Sequence, residues 1–184
     1  VDFNDIQCNG ITGITAEDVA YAKALGMKIK LLGTSSKQGD NVCAEVSPFM
    51  IGASDPLYGV DGVMNAITVR GNMLGEVMFY GAGAGSLPTA SAVVSDIIVE
   101  ASHLHENIRL DMAPEKISIC NPDSVPGKFF IRFRKGSSVA DQLKISEKIS
   151  LPEFENEEAV IADSITAGEL KALGEDVIKF IKVK

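Results

Sequence analysis

Short segments in which hydrophobic and polar residues alternate recur along most of this chain, and turn residues separate them. Residues 27–32 and 41–50 flank a polar stretch that contains glycine, and residues 62–70 and 73–80 flank Gly71-Asn72. A period of two places successive side chains on opposite faces of a strand. A two-residue Gly-Asn link between two such runs favours a hairpin. The first half of the chain is therefore expected to form a mostly antiparallel sheet.

Two helices should accompany this sheet. Thr15 can cap a helix whose first turn carries Glu17 and Asp18, and Gly26 suits the left-handed turn that follows it. A second helix is indicated after residue 88 by apolar residues that recur at helical spacing. These residues are Ala90, Val93, Val94, Ile97, Ile98 and Ala101. The stripe should pack on the sheet, which predicts an α+β fold with helices covering one face.

The last third of the chain differs in composition and is expected to form a separate unit. Pro114, Pro122 and Pro126 fall in an irregular stretch, which predicts a linker over residues 113–127. The domains would then be 1–112 and 128–184. The tail should be a small α/β unit, and the patterns predict strands over 128–134, 159–162 and 177–184, a helix over 138–149 and a second helix that a capping box at Thr166 opens and Gly174 ends.

Charge excludes several classes of function. The chain has 17 basic and 25 acidic side chains and a net charge of −8, which argues against a nucleic-acid partner. The group Arg132, Arg134 and Lys135 is interpreted as a solvated strand edge. No stretch reaches the roughly 18 apolar residues of a membrane span, so no membrane partner is expected.

Cysteine and histidine spacing gives no metal site. Cys8, Cys43 and Cys120 are far apart and odd in number, so neither a zinc site nor a disulfide is indicated. A reducing cytoplasm is the expected compartment. His103 and His105 are two residues apart and would point in different directions on a helix, so we interpret them as surface side chains.

The residues that most directly indicate chemistry are the glycine run at 81–85, between a strand and the stronger helix. Its bare backbone and the helix N-terminus favour an anion or a polar ring amide. A self-contained dinucleotide site is disfavoured, because Ser86 or Pro88 would occupy the last glycine position of GxGxxG. Two interpretations stay open. The glycine run is either a tight turn without a ligand, or a backbone segment that contacts a cofactor held by another domain. The candidate cofactor-binding residues are Gly81, Gly83, Ala84 and Gly85.

Several blocks together give the chain a family resemblance. They are GITGIT from Gly10, AYAKALG from Ala20, VSP from Val46, DPL from Asp55, VDGVMNAI from Val60 and GEVMFYGAGAGSLPTASAVVSD from Gly75. In this order and spacing, over roughly residues 10–100, they resemble homoserine dehydrogenases. Asn9, Asp55 and Ala82 depart from residues that are usual in that family.

The resemblance implies an NAD(P)-dependent oxidoreductase that interconverts homoserine and aspartate semialdehyde, as a homo-oligomer and most simply a dimer. The coenzyme would be NAD or NADP. In the family, a lysine–carboxylate set just before the GITGIT-like block carries out proton transfer. No catalytic residue is therefore expected after Val1. As a piece of the parent enzyme, the chain should be inactive and should not bind coenzyme tightly. The tail looks like a reduced ACT-type domain whose usual loop is shortened to Lys135-Gly136-Ser137.

Two other classes of function remain open from sequence. One is a stand-alone dimeric module that binds an amino acid and regulates another protein. The other is a purely structural oligomerisation piece.

Overall fold

The computed structural model describes residues 2–106 and 117–184. The chain order of its strands and longer helices is β1 (Gln7–Cys8), α1 (Ala16–Ala24), β2 (Met27–Gln38), β3 (Asn41–Gly52), β4 (Met64–Gly71), β5 (Gly75–Ala82), α2 (Ser86–Ser102), β6 (Gly127–Arg134), β7 (Ile145–Ile149), β8 (Glu157–Ile165), α3 (Ala167–Ala172) and β9 (Val177–Val183). Contacts divide the chain into two compact units, one formed by residues up to Asp55 together with those after the 107–116 segment, and one that begins at Pro56.

The first unit is built on a seven-stranded mixed sheet. Its strand order is β1-β3-β9-β6-β8-β7, and β2 pairs with β3 as well. Most of the neighbouring strands are antiparallel, as the sequence predicts, while β1 and β9 each run parallel to β3. The tail strands thus share a sheet with the N-terminal strands. These contacts divide the chain differently from the predicted 1–112 and 128–184 domains, and residues 113–116 of the predicted linker lie outside the described part.

The β2–β3 hairpin is longer than the alternation predicts. The pairing runs without a break from Met27 opposite Gly52 to Gln38 opposite Asn41. The predicted turn over 34–40 is therefore wrong for its first five residues, because the strand continues through them. The continuous pairing with β3 holds this polar segment in the sheet, and threonine favours strands. The chain reverses only at Gly39, whose φ of 61° lies in the left-handed region.

A helix covers each face of this sheet. On β6, the odd-numbered residues Phe129, Ile131 and Phe133 pack in one buried cluster with α3, and Phe130 packs in a second cluster with Tyr21 of α1. Successive strand residues point to opposite faces, so α3 and α1 lie on opposite sides. Both helices begin with a capping box, at Thr15, where the sequence predicted a cap, and at Thr166, where it predicted the box itself.

Arg132 is buried, and its interpretation as part of a solvated edge was wrong. Its guanidinium binds Glu157 through two nitrogens at 3.1 and 2.9 Å and Asp18 at 2.5 Å. As an even-numbered residue of β6 it points toward α1, where Asp18 is fully buried. Arg134 and Lys135 are exposed as expected. The alternation that predicted the strand could not show which polar residue would find buried partners.

The predicted helix over 138–149 was also wrong. A short 3-10 turn occupies Ala140–Gln142, and residues 145–149 form the edge strand β7. That strand pairs with β8, opposite Ile161 and Ala159 among others. Ile145 and Ile149 sit four residues apart, a spacing that fits a helix face, but a β-branched residue at each end and a ready sheet edge favour the strand.

The expectation of no disulfide was wrong as well. Cys43 and Cys120 are bonded to each other, with their Cα atoms 4.9 Å apart. The segment before Cys120 lies beside β3, since the amide of Val42 donates to the Ser118 carbonyl and the amide of Cys120 donates back to Val42. Cys8 is free and exposed. The two cysteines are 77 residues apart in sequence, so motifs based on short cysteine spacing could not predict this pairing.

The second unit contains a hairpin and α2. β4 and β5 pair from Met64 opposite Ala82 to Gly71 opposite Gly75, so the link is Asn72 to Leu74 rather than the predicted Gly71-Asn72. The register places Ile67 opposite Phe79, but both side chains are 66% exposed. No residue of α2, which is described in full, is buried. The expectation that its apolar stripe packs on the sheet is therefore not met within this chain.

Candidate functional site

The glycine run forms a sharp turn between β5 and α2. β5 ends at Ala82 and α2 begins at Ser86, so Gly85 is the residue before the helix. Gly85 has φ 123° and ψ 156°, a combination that residues with a Cβ rarely adopt. A serine at the start of a helix often caps it through its hydroxyl. Ser86 is instead the first helical residue, because glycine is needed to redirect the chain one position earlier.

The start of α2 offers backbone donors. No side chain caps Gly85, and the first helical hydrogen bond runs from the Thr89 amide to the Gly85 carbonyl at 3.1 Å. Pro88 has no amide hydrogen. The N–H groups of Ser86 and Leu87 make no hydrogen bond to any described residue and stay available at the positive end of the helix. This arrangement suits an anionic or amide-bearing ligand.

Gly83 is held in place by β4. Its amide donates to the carbonyl of Val63 at 3.2 Å. A Cβ on Gly83 would overlap the side-chain amide of Asn65, so any larger residue there would have to displace this exposed side chain. Sequence reasoning assigned no role to Asn65. Its only signal was its place in the VDGVMNAI block, since the contact depends on the hairpin register.

The four predicted residues are brought together at one exposed place. Gly81, Gly83, Ala84 and Gly85 are all exposed. A Cβ on Gly81 would meet no atom within 4 Å, so open space faces the backbone at the end of β5. The turn therefore has the bare, accessible backbone that a coenzyme contact requires, and that contact itself stays a prediction.

The other sequence candidates have ordinary structural positions. His103 ends α2, and its Nδ1 lies 2.8 Å from the Val99 carbonyl oxygen. Nowhere in 2–106 or 117–184 do three His, Cys, Asp or Glu side chains gather in a way that could hold a metal ion. None of the helices in these ranges is long and apolar enough to cross a membrane.

Comparison with known proteins gives the chain a family. Residues 1–98 match the model of the homoserine dehydrogenase family. The chain is 41% identical over 140 residues to a homoserine dehydrogenase of Neisseria gonorrhoeae, an alignment that covers 72% of the chain and 32% of that protein. It is 33% identical over 157 residues to the Bacillus subtilis homoserine dehydrogenase, covering 82% of the chain and 35% of the relative. The chain thus spans about a third of the length of these curated relatives.

Solved structures agree with this assignment. All of the chain superposes on a homoserine dehydrogenase from Thiobacillus denitrificans with a TM-score of 0.81 and 27% sequence identity, and covers 48% of that structure. A Staphylococcus aureus homoserine dehydrogenase gives a TM-score of 0.75 at 29% identity with the same coverage. These neighbours share the mixed, sheet-dominated fold described above.

Proposed function

Because the chain belongs to the homoserine dehydrogenase family, we propose that it is the C-terminal part of an enzyme that interconverts homoserine and aspartate semialdehyde with NAD or NADP. The observation that carries this proposal is the exposed glycine turn at 81–85, in a segment that the family model matches. The remainder of such an enzyme would supply the nucleotide-binding domain and the proton-transferring residues. The isolated chain should then lack turnover.

The coenzyme contact is proposed at the backbone of Gly81, Gly83, Ala84 and Gly85. The bound nicotinamide would supply the hydride. The part of this chain is to position the ring: the open space beside Gly81 admits a flat group, and the free amides of Ser86 and Leu87 can donate to a carboxamide or phosphate oxygen. The Gly83–Val63 hydrogen bond keeps the turn in one conformation while ligand binds.

The exposed apolar surface of the second unit supports a proposed homo-oligomer, most simply a dimer. Along α2, Val93, Val94, Ile97 and Ile98 are each more than half exposed. Monomeric proteins rarely expose contiguous apolar patches of this kind. We propose that a second copy of the protein covers the stripe, in the manner of a two-fold interface.

The proposed compartment is the cytoplasm, where this biosynthetic reaction would draw on the nicotinamide pool. Thiols are kept reduced there, so the Cys43–Cys120 bond would be open in that compartment. The ACT-type character of residues 128–184 stays a prediction. Its expected first helix is absent, since the described chain has β7 at that place.

The activity proposal is tested with two purified proteins, the 184-residue chain and the longer protein that contains it. Homoserine and NADP, then NAD, are added, and absorbance of the reduced nicotinamide is followed. We expect homoserine-dependent turnover from the longer protein and none from the chain. Absence of turnover from the longer protein with either coenzyme would refute the activity. Sustained turnover by the chain alone would refute the upstream location of the proton-transfer residues.

The contact proposal is tested by Gly81→Ala in the longer protein. The added methyl meets no protein atom, so the fold should be unaffected while the coenzyme is pushed away. We expect KM for the coenzyme to rise by about tenfold, the equivalent of a loss near 1.4 kcal/mol, with KM for homoserine little changed. Gly59→Ala is the matched control, since Gly59 is also exposed with open space around it. Equal KM values for both variants would place the coenzyme elsewhere.

A further inference from the structure

Three segments share one edge of β3. Since β2 occupies the other edge along its full length, the free edge takes Ile119 opposite Val42, β1 opposite Glu45 and Val46, and β9 opposite Phe49 and Met50. β9 pairs with β3 over only two positions. Before them, β1 lies next to β3 and β9 is displaced, so the sheet splits between β1 and the first half of β9.

A cavity of about 460 Å³ lies in this split. The edge of β9 over residues 177–181 that faces it has no strand partner among the described residues. β1 forms the opposite wall, and Asp123 and Lys171 lie at its margin. The volume is in the range of small-molecule sites.

The charged lining carries one positive charge in excess. Its carboxylates are Glu45 and Asp123, and its cations are Lys171, Lys179 and Lys182. Lys182 is paired with Glu45 and Lys171 with Asp123. The hydrogen bond from Lys171 also holds the pKa of Asp123 below its ordinary value, so this carboxylate is charged and satisfied at neutral pH.

Lys179 is the cation left over. Its ammonium donates to the Gly13 carbonyl at 2.7 Å, and no carboxylate of the described residues pairs with it. The chain as a whole carries a net charge of −8. The positive net charge of the cavity lining is therefore opposite in sign to that of the chain. Ile14 lines the cavity and packs against the buried cluster of Ile181, a residue that lies on the same face of β9 as Lys179. It therefore adds an apolar wall beside this lysine.

We propose that this cavity binds a small organic carboxylate, with its anionic group on Lys179 and a short apolar body against Ile14. A monoanion matches the single unpaired charge, and a charged hydrogen bond is the stronger kind. The unpaired edge of β9 can bind a polar substituent. This inference does not rest on the proposed dehydrogenase activity, since its test uses neither coenzyme nor turnover.

The test is a titration of the 15N-labelled 184-residue chain with hexanoate, followed by amide chemical shifts. Saturable shifts are expected at residues 7–10 and 177–182. Lys179→Gln should weaken binding by about tenfold and Lys179→Arg by much less, because a charged donor is retained. Lys148→Gln, on an exposed edge residue, should leave binding unchanged. Hexylamine, the cationic counterpart of the probe, should give no saturation.

A second variant keeps the test interpretable if the Lys179→Gln variant fails to fold. A Cβ on Gly13 would lie 3.3 Å from the Lys179 ammonium, so Gly13→Ala shifts this group by only a small distance while keeping its charge. It should weaken hexanoate binding less than Lys179→Gln does. Binding that is unaffected by both changes would overturn the proposal, as would the absence of saturation. Inorganic phosphate serves as the last probe. If phosphate bound as tightly as hexanoate, the site would recognise the negative charge alone. The proposed contact with the apolar body of the ligand would then be overturned.

Discussion

The Arg132 guanidinium lies 2.5 Å from the Asp18 carboxylate, and both side chains are almost completely shielded from water. This contact ties α1 to the centre of the sheet, and Glu157 completes it from β8. The three groups come from sequence positions more than a hundred residues apart at their extremes. The C-terminal strands therefore hold the N-terminal helix by charge as well as by apolar packing.

Arg132→Met should destabilise the chain by about 3 kcal/mol, because it leaves the buried Asp18 carboxylate and the partly buried Glu157 carboxylate without their cation. Arg134→Met is the control, since Arg134 is the next arginine on the same strand and is exposed; its effect should stay within about 0.5 kcal/mol. Urea unfolding followed by circular dichroism gives both values. Equal effects would mean that water reaches the Asp18 site.

The buried Tyr21 should make the folded protein less stable at alkaline pH. Its hydroxyl is buried and makes no hydrogen bond within the described residues, and burial, with the nearby negative charge of Glu157, raises its pKa to about 12. A folded-state pKa above the unfolded value of about 10 stabilises the fold fully below pH 10. This stabilisation is lost as the pH rises from 10 towards 12.

Tyr21→Phe should remove this steep loss, which amounts to roughly 2 kcal/mol over that interval. At pH 7 the variant should be equal or more stable, because a buried hydroxyl without a partner costs about 1 kcal/mol or more. Unfolding midpoints at pH 7, 9, 10.5 and 11.5 test both statements. A phenylalanine variant that loses stability in parallel with the parent would assign the alkaline loss to lysines instead.

Local signals predicted the parts of the fold that depend on neighbours in sequence. The capping boxes at Thr15 and Thr166 satisfy backbone amides three residues away, so the pattern is complete within one turn of chain. The location of the glycine turn followed from a strand pattern and a helix pattern that flank it. The family resemblance then indicated its chemistry, which periodicity alone could not.

Features that depend on pairing between distant segments could not be predicted from local sequence patterns. The period of residues 145–149 is ambiguous, and the free edge of β8 decided for a strand. An alternating pattern counts Arg132 simply as a polar residue. Its burial becomes favourable only through the contacts with Asp18 and Glu157, which are distant in sequence. The cavity beside β9 arises because β1 displaces it from β3, a competition between strands that no local pattern records.

Gly83→Ala should destabilise the second unit more than Gly81→Ala. The new methyl at position 83 would overlap the Asn65 side chain, whereas the one at position 81 meets open space. We expect a cost of about 1 kcal/mol for the first, the scale of a side chain forced off its rotamer, and a change near zero for the second. Hydrogen exchange of the β4–β5 amides measures the difference. Similar protection in both variants would mean that Asn65 moves aside freely.

Ile97→Asp should reduce self-association if a second copy covers α2. A charge at the centre of an apolar interface is costly to bury, whereas the helix itself leaves Ile97 61% exposed and loses little. Ser95→Asp adds the same charge on the opposite side of the helix and serves as control. Light scattering with size exclusion gives the mass of each. A dimer that persists in the Ile97 variant, or a parent that is monomeric, would reject this interface.

The Cys43–Cys120 bond closes a loop that contains the whole second unit, since the two cysteines are 77 residues apart. Closing a loop of that length in the unfolded chain stabilises the fold by about 4 kcal/mol on the chain-entropy estimate. Reductant should therefore lower the urea midpoint of the parent and leave the Cys43→Ser/Cys120→Ser variant unchanged. Cys8→Ser should behave as the parent, because Cys8 is free and exposed. Alkylation of the denatured, unreduced parent should label one cysteine; labelling of all three would show that the bond does not form.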